Sequence, residues 1–150
     1  MKITEKNEKL DDWHSSKIQI SKDWIETERS QKNRKVNQGE IYYCNIGENI
    51  GHEQNELRPV LIVSENRYNK KGIITILPLT TKVVYNGKRP KYDTHYILKK
   101  ENYKFLKSDS AVMSEHIKSV SIIRLIDYIG QVSQQDYKLI NIRMKSLLGL

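Results

Sequence analysis

The hydrophobic positions change period twice along the chain. Residues 1–9 are polar and are expected to be frayed. From Leu10 to about Arg29 a weak helical stripe runs through Leu10, Trp13, Lys17, Ile20 and Trp24, flanked by Ile18 and Ile25. Lys17 interrupts that stripe, so a free helix would be marginal. Arg29–Gln38 has one apolar residue, Val36, and reads as a linker.

At Gly39 the pattern turns to short apolar runs. Ile41–Ile46 is aromatic and β-branched and predicts a strand. Gly47–Glu56 is a polar, glycine-bearing loop. Pro59–Val63 predicts a buried strand, with its proline tolerated at the start. Glu65–Gly72 turns the chain, and Ile73–Leu79 is a further strand with Pro78 near its end. Lys82–Asp93 reads as a long basic loop. His95–Lys99 and Ser110–Ser114 read as strands, Glu115–Val120 alternates weakly, Ile122–Tyr128 suits one helical turn, and Tyr128–Val132 suits a last strand.

The end of the chain is helical. Ser133 is a candidate N-cap with Asp136 three residues on, and Tyr137, Ile140, Met144 and Leu147 follow at helical spacing. Many short strands with tight turns argue for a small barrel or sandwich closed by one C-terminal helix.

Composition narrows the class. The 150 residues suit one ordinary domain, and the formal net charge is +8. No apolar run is long enough to span a membrane, and the polar N-terminus lacks the apolar centre of a secretory signal. A cytoplasmic protein is expected. A single cysteine, Cys44, excludes an internal disulfide and a thiolate metal cluster. Of the excess charge, +2 lies in residues 1–38 and +6 in residues 39–150. Lys82–Lys107 alone carries eight Lys/Arg against Asp93 and Glu101, interleaved with Tyr85, Tyr92, Tyr96 and Tyr103. Cations beside stackable rings suit single-stranded nucleic acid; the same residues also suit a solvated loop whose tyrosines pack on their own strands.

The chemistry the residues permit is narrow. His14, His52, His95 and His116 are far apart in sequence, with no metal-binding spacing among them. No phosphate loop or nucleophile elbow is present. Cys44 falls inside a predicted strand and reads as a structural thiol. One block stands out: the loop Asn49–Gln54 leads into Leu57-Arg58-Pro59-Val60, which delivers an arginine to the mouth of a buried strand. Fixed there, a guanidinium can grip a phosphate with two N–H groups, or pair with a structural carboxylate. The next strand ends Leu77-Pro78-Leu79-Thr80-Thr81, which brings hydroxyls to the neighbouring strand.

Five blocks in order resemble the MazF/PemK toxins of bacterial toxin–antitoxin systems: Gly39-Glu40-Ile41-Tyr42, Asn49–Gln54, Arg58–Val63, Pro78-Leu79-Thr80, and a second half running through Asp109–Met113, Glu115–Val120, Arg124-Leu125 and Ile129-Gly130. The resemblance covers about residues 37–150. It implies a mainly β fold with helices, an SH3-like small β-barrel with a C-terminal helix, to which residues 1–36 add a helical N-terminal extension. It implies a homodimer, a cognate antitoxin protein as partner, DNA binding as the antitoxin complex, and no cofactor or metal. The activity implied is an endoribonuclease that cuts single-stranded RNA at short sequences. The 2′-OH attacks the adjacent phosphate and leaves a 2′,3′-cyclic phosphate and a 5′-OH.

Residue by residue, the resemblance places the catalytic arginine on Arg58 and the catalytic threonine on Thr80. Arg58 would stabilise the phosphorane and Thr80 would donate to a phosphate oxygen. An arginine stays protonated and is a poor base, so Glu53 or His52 is a candidate to assist, or merely orders the loop. Gln54 and Ser110 would line the RNA groove, and Thr81, Lys82, Glu115, His116 and Lys118 would contact substrate. The family's Glu-Gln-Ile-Arg run is here Glu115-His116-Ile117-Lys118, which changes the groups offered to a base and bears on the cleavage sequence. His95 is expected to be structural. The alternative is a non-catalytic barrel that binds nucleic acid or a protein such as gyrase. For residues 1–36, both tryptophans demand packing, on the chain's own barrel or a partner, either as a stabilising appendage or as a cover over the RNA groove.

Overall fold

The computed structural model describes residues 1–150. Helix α1 (Ile3–Lys32) is followed by β1 (Glu40–Asn45), β2 (Leu57–Ile62) and β3 (Ile73–Thr80). A two-residue hairpin, β4 (Tyr85–Asn86) with β5 (Arg89–Pro90), precedes β6 (His95–Leu98) and β7 (Ser110–Met113). The chain ends with β8 (Lys118–Ser121), β9 (Leu125–Gln131) and α2 (Gln134–Leu148). All pairings are antiparallel, in the order β6-β7-β3-β2-β1-β9, with β8 also paired to β3. This is the mainly β architecture with a C-terminal helix that the short strands predict. No helix is long and apolar enough to cross a membrane.

The strands read as nearly continuous apolar runs because both faces of the sheet are covered. One face packs Tyr42, Cys44, Val60, Ile62, Ile76 and Val120 together, with Trp24 of α1 against them. The other packs Ile41, Leu61, Leu77, Leu79 and Val112 against Ile140 and Met144 of α2. Helix α2 starts as expected: Ser133 Oγ accepts from the Asp136 amide at 3.1 Å. The Asp136 carboxylate does not reach back to complete a box. It accepts from the Tyr96 and Tyr103 hydroxyls instead.

Strand β3 changes partners along its length. Ile73–Ile76 pair with β8, and Leu79–Thr80 pair with β7. The exchange falls at Leu77-Pro78, and Pro78 has no N–H to be left unpaired there. The 3-10 turn Ser114–His116 joins β7 to β8 beside this gap.

Four expectations are corrected. Residues 1–9 are not frayed: α1 begins at Ile3, because Lys6 reaches the Glu48 carboxylate at 2.5 Å and the Asn49 carbonyl, and Lys9 lies 3.6 Å from Glu56. The linker is shorter than Arg29–Gln38, since α1 runs to Lys32, with Lys32 and Glu28 paired at 2.8 Å. Lys82–Asp93 contains the β4–β5 hairpin. The last strand starts at Leu125, directly after a 3-10 turn at Ile122–Arg124. Its pairing with β1 shifts register around Ile41–Cys44, which spoils the alternation a strand should show.

Helix α1 packs on its own sheet body. Trp13 lies against Gly47 and under the Arg124 guanidinium, 5.3 Å from ring centre to Cζ. Trp24 lies against Gly72. Both glycines have positive φ, +87° and +88°, and a Cβ would stand 2.4 Å from the Trp13 ring and 2.7 Å from the Trp24 ring. Only glycine satisfies the backbone and the close approach together. Arg34 closes the attachment, donating to the carbonyls of Ile122 and Leu125.

Candidate active site

A cleft of about 350 Å³ opens where β3 changes partners. Ile46, Ile76 and Pro78 line it together with Asn49, Glu53 and Gln54 of the Gly47–Glu56 loop, and the 3-10 turn supplies Glu115 and His116, with Ile117 and Lys118 following. No residue of α1 lines it.

The loop is held from within. Ile46 N donates to Glu56 O and Glu56 N to Gly47 O, closing its neck. Asn49 Nδ2 donates to Gln54 O at 2.7 Å, the Asn49 amide donates to Asn55 Oδ1, and the Ile50 amide donates to Glu53 Oε2 at 2.7 Å. These asparagine contacts rigidify the segment leading into β2, where Arg58 stands second.

Arg58 is half-buried and sits opposite Cys44 of β1. Its Nε donates to Asn55 O at 2.7 Å. No carboxylate lies within ion-pair distance of it, so the remaining four N–H groups are free for a ligand. The β2–β3 ladder pairs Val60 with Pro78. The pairing ends there; continued by two residues, its register would set Arg58 opposite Thr80 on the neighbouring strand. Thr80 Oγ1 accepts from the Lys82 amide at 3.1 Å, which leaves its own proton to donate. Cys44 is fully buried and burial pushes its thiol up to about 11, so it is an inert thiol.

In the cleft, whose lining does not include Arg58 or Thr80, His116 Nε2 lies 3.3 Å from Gln54 Nε2 and 3.7 Å from Glu115 Oε1. Burial lowers the His116 pKa; Glu115 opposes that shift, while His95 and Arg58 add to it. Burial pushes the Glu115 carboxyl up, but hydrogen bonds from Thr94, its own backbone and His95 outweigh that and hold it below the usual range. His95 Nε2 lies 2.6 Å from Glu115 Oε1.

The structure thus brings Gln54, Glu53, Glu115, His116 and Lys118 to one cleft. His52 is exposed at the loop tip, outside the lining. Thr81 and Lys82 are exposed beyond the end of β3. Ser110 is buried in β7, donating to Ser108 O at 3.2 Å, and is not part of the cleft lining. Sequence reading missed Asn49 and Asn55; two asparagines in a ten-residue loop before a strand were the available signal. No group of three His, Cys, Asp or Glu side chains stands close enough together to hold a metal.

Residues 37–148 match the family described as PemK-like, MazF-like toxin of type II toxin-antitoxin system. The chain is 29 % identical over 115 residues to "Endoribonuclease MazF" of Staphylococcus saprophyticus, an alignment spanning 77 % of this chain and 92 % of that protein. MazF from Deinococcus radiodurans superposes with a TM-score of 0.65 at 22 % identity, covering 79 % of this chain and all of the other. An endoribonuclease in complex with its cognate antitoxin, from a mycobacterial species, superposes with a TM-score of 0.59 at 25 % identity, covering 77 % and 96 %. The order of blocks, the sheet and the family match agree: the chain belongs to the PemK/MazF-like toxin family of type II toxin–antitoxin systems.

Proposed function

We propose that this toxin is an endoribonuclease whose reaction centre is Arg58 with Thr80, and that it cuts single-stranded RNA. The observation that carries the reading is the half-buried Arg58, oriented by Asn55 and unpaired with any carboxylate, on the strand next to the one that ends at Thr80. When a 2′-OH attacks the neighbouring phosphorus, the phosphorane carries more negative charge than the ground state. The free N–H groups of Arg58 and the Thr80 proton meet that charge as it develops, which is how they accelerate the step rather than merely bind. The attacking group belongs to the substrate, so no activated water and no metal-bound hydroxide is needed. Lys118 and the basic segment Lys82–Lys107 hold the phosphate backbone.

The products are a 2′,3′-cyclic phosphate and a 5′-OH. The toxin acts in the cytoplasm as a homodimer restrained by a cognate antitoxin. Support comes from the named endoribonuclease relative and from the mycobacterial relative solved with its antitoxin. The test uses a long, unstructured RNA with EDTA present. Cleavage is expected, and Arg58→Ala should lower its rate by about 10²–10³-fold with circular dichroism unchanged. Full activity in Arg58→Ala, or a 5′-phosphate product, refutes the assignment. Binding without cleavage by the unaltered protein identifies the non-catalytic barrel instead.

A further inference from the structure

We propose that His116 is the general base that takes the proton from the attacking 2′-OH, an inference that rests on the cleavage reading above. Arginine cannot serve, because it does not lose its proton in proteins. The other candidates in and around the cleft are committed or misplaced. Glu53 spends one carboxylate oxygen on the Ile50 amide. His52 stands exposed at the loop tip, outside the lining. Glu115 is held by Thr94, its own backbone and His95, which makes it a weaker base than a free carboxylate.

His116 is the remaining candidate. It lines the cleft with its side chain 23 % exposed, open enough for substrate and dry enough to stay fixed. Two contacts of the same loop link it to the arginine: Arg58 Nε donates to Asn55 O, and the adjacent Gln54 touches the His116 ring. His116 Nε2 faces the Gln54 side-chain amide at 3.3 Å across the cleft, and in the proposed step the substrate hydroxyl takes the place of Gln54 at that nitrogen of the imidazole. The groups facing it are Glu115 on its own turn, His95 from β6, Arg58 from β2, Lys118 at the start of β8, and Glu53 and Gln54 from the loop. Burial, His95 and Arg58 keep it uncharged to lower pH than an ordinary histidine, against the pull of Glu115.

His116 Nε2 takes the 2′-OH proton as the 2′ oxygen bonds to phosphorus. The bond from phosphorus to the 5′ oxygen breaks and its electron pair leaves on that oxygen, which water protonates. The imidazolium then returns its proton to solvent. A positioned base of this kind contributes typically about 10²–10⁴-fold.

The experiment measures kcat and KM against pH for the unaltered toxin, His116→Gln, His116→Ala and Arg58→Ala on one heterogeneous single-stranded RNA. For the unaltered toxin, activity should rise with pH through an ionisation below the usual histidine value of 6.5 and then level off. Both His116 variants should lose about 100-fold or more in kcat with little change in KM, and their profiles should lack that rising limb. Added imidazole should restore cleavage by His116→Ala in proportion to its free-base form. The glutamine variant retains a polar side chain of similar reach, which keeps the test open if the alanine variant fails to fold. A His116→Gln enzyme with kcat within a few-fold of normal and the limb intact overturns the proposal, as does a raised KM with kcat unchanged, which marks a base-contacting role. In either case a dead Arg58→Ala variant leaves the cleavage reading standing. If Arg58→Ala is fully active, or no RNA is cut by the unaltered toxin, both fail.

Discussion

The two helices are attached to the same sheet by opposite means. Helix α2 spans 15 residues and belongs to the core: Ile140 is wholly buried, Met144 nearly so, Ser133 caps its start, and Gly149 ends it in the left-handed conformation. Helix α1 is twice as long and has no fully buried residue and no side-chain cap at Lys2. It holds on by two indoles laid over glycines, two lysines reaching the Gly47–Glu56 loop, and the Arg34 clasp that follows it. Ile18 and Ile25 remain exposed on its outer face. Length, then, says little about how a helix is held. Burial decides it, and α1 is a strap across a finished body rather than a layer of it.

Five substitutions test this contrast, taken in decreasing order of effect. Ile140→Ala should cost about 2–5 kcal/mol by thermal or urea unfolding, whereas Ile18→Ala on α1 should change stability by less than about 0.5 kcal/mol. Equal costs would end the distinction. Gly47→Ala combines a backbone at φ +87° with a methyl placed 2.4 Å from the Trp13 ring. It should cost about 1–3 kcal/mol and shift the tryptophan emission towards that of a solvated indole. It should also slow cleavage, because Gly47 opens the loop that carries Gln54. Unchanged emission would mean that Trp13 is not held by that contact. The smallest effect concerns the caps: Ser133→Ala should cost about 1 kcal/mol, while Lys2→Ala, which removes no cap bond, should be silent in the same urea titration.

What could be read from the sequence was what local pattern determines. Helix α2 announces itself through Ser133 and the spacing of Tyr137, Ile140 and Met144. The strands that carry Arg58 and Thr80 show as apolar runs, so their place at the ends of two neighbouring strands was legible. The first turns of α1 were not, because Lys6 finds its partner Glu48 across 42 positions of sequence. The start of β9 was masked by its bulged register with β1. The far wall of the cleft depends on a contact between Gln54 and His116, 62 positions apart, and on β3 exchanging β8 for β7 at Pro78. No window of local periodicity contains either.

The sheet order also has a consequence for synthesis. β1 is among the first strands to leave the ribosome, yet one of its two neighbours is β9, which ends at Gln131. The elements that carry Arg58 and Thr80 are complete by mid-chain, while His116 and the closing strand follow only near the end. A nascent chain therefore holds Arg58 and Thr80 before the turn that carries His116 has been made, and long-range pairing of this kind is slow to form. The cleft is thus complete only once the Ser114–His116 turn and Lys118 have joined the loop that precedes β2.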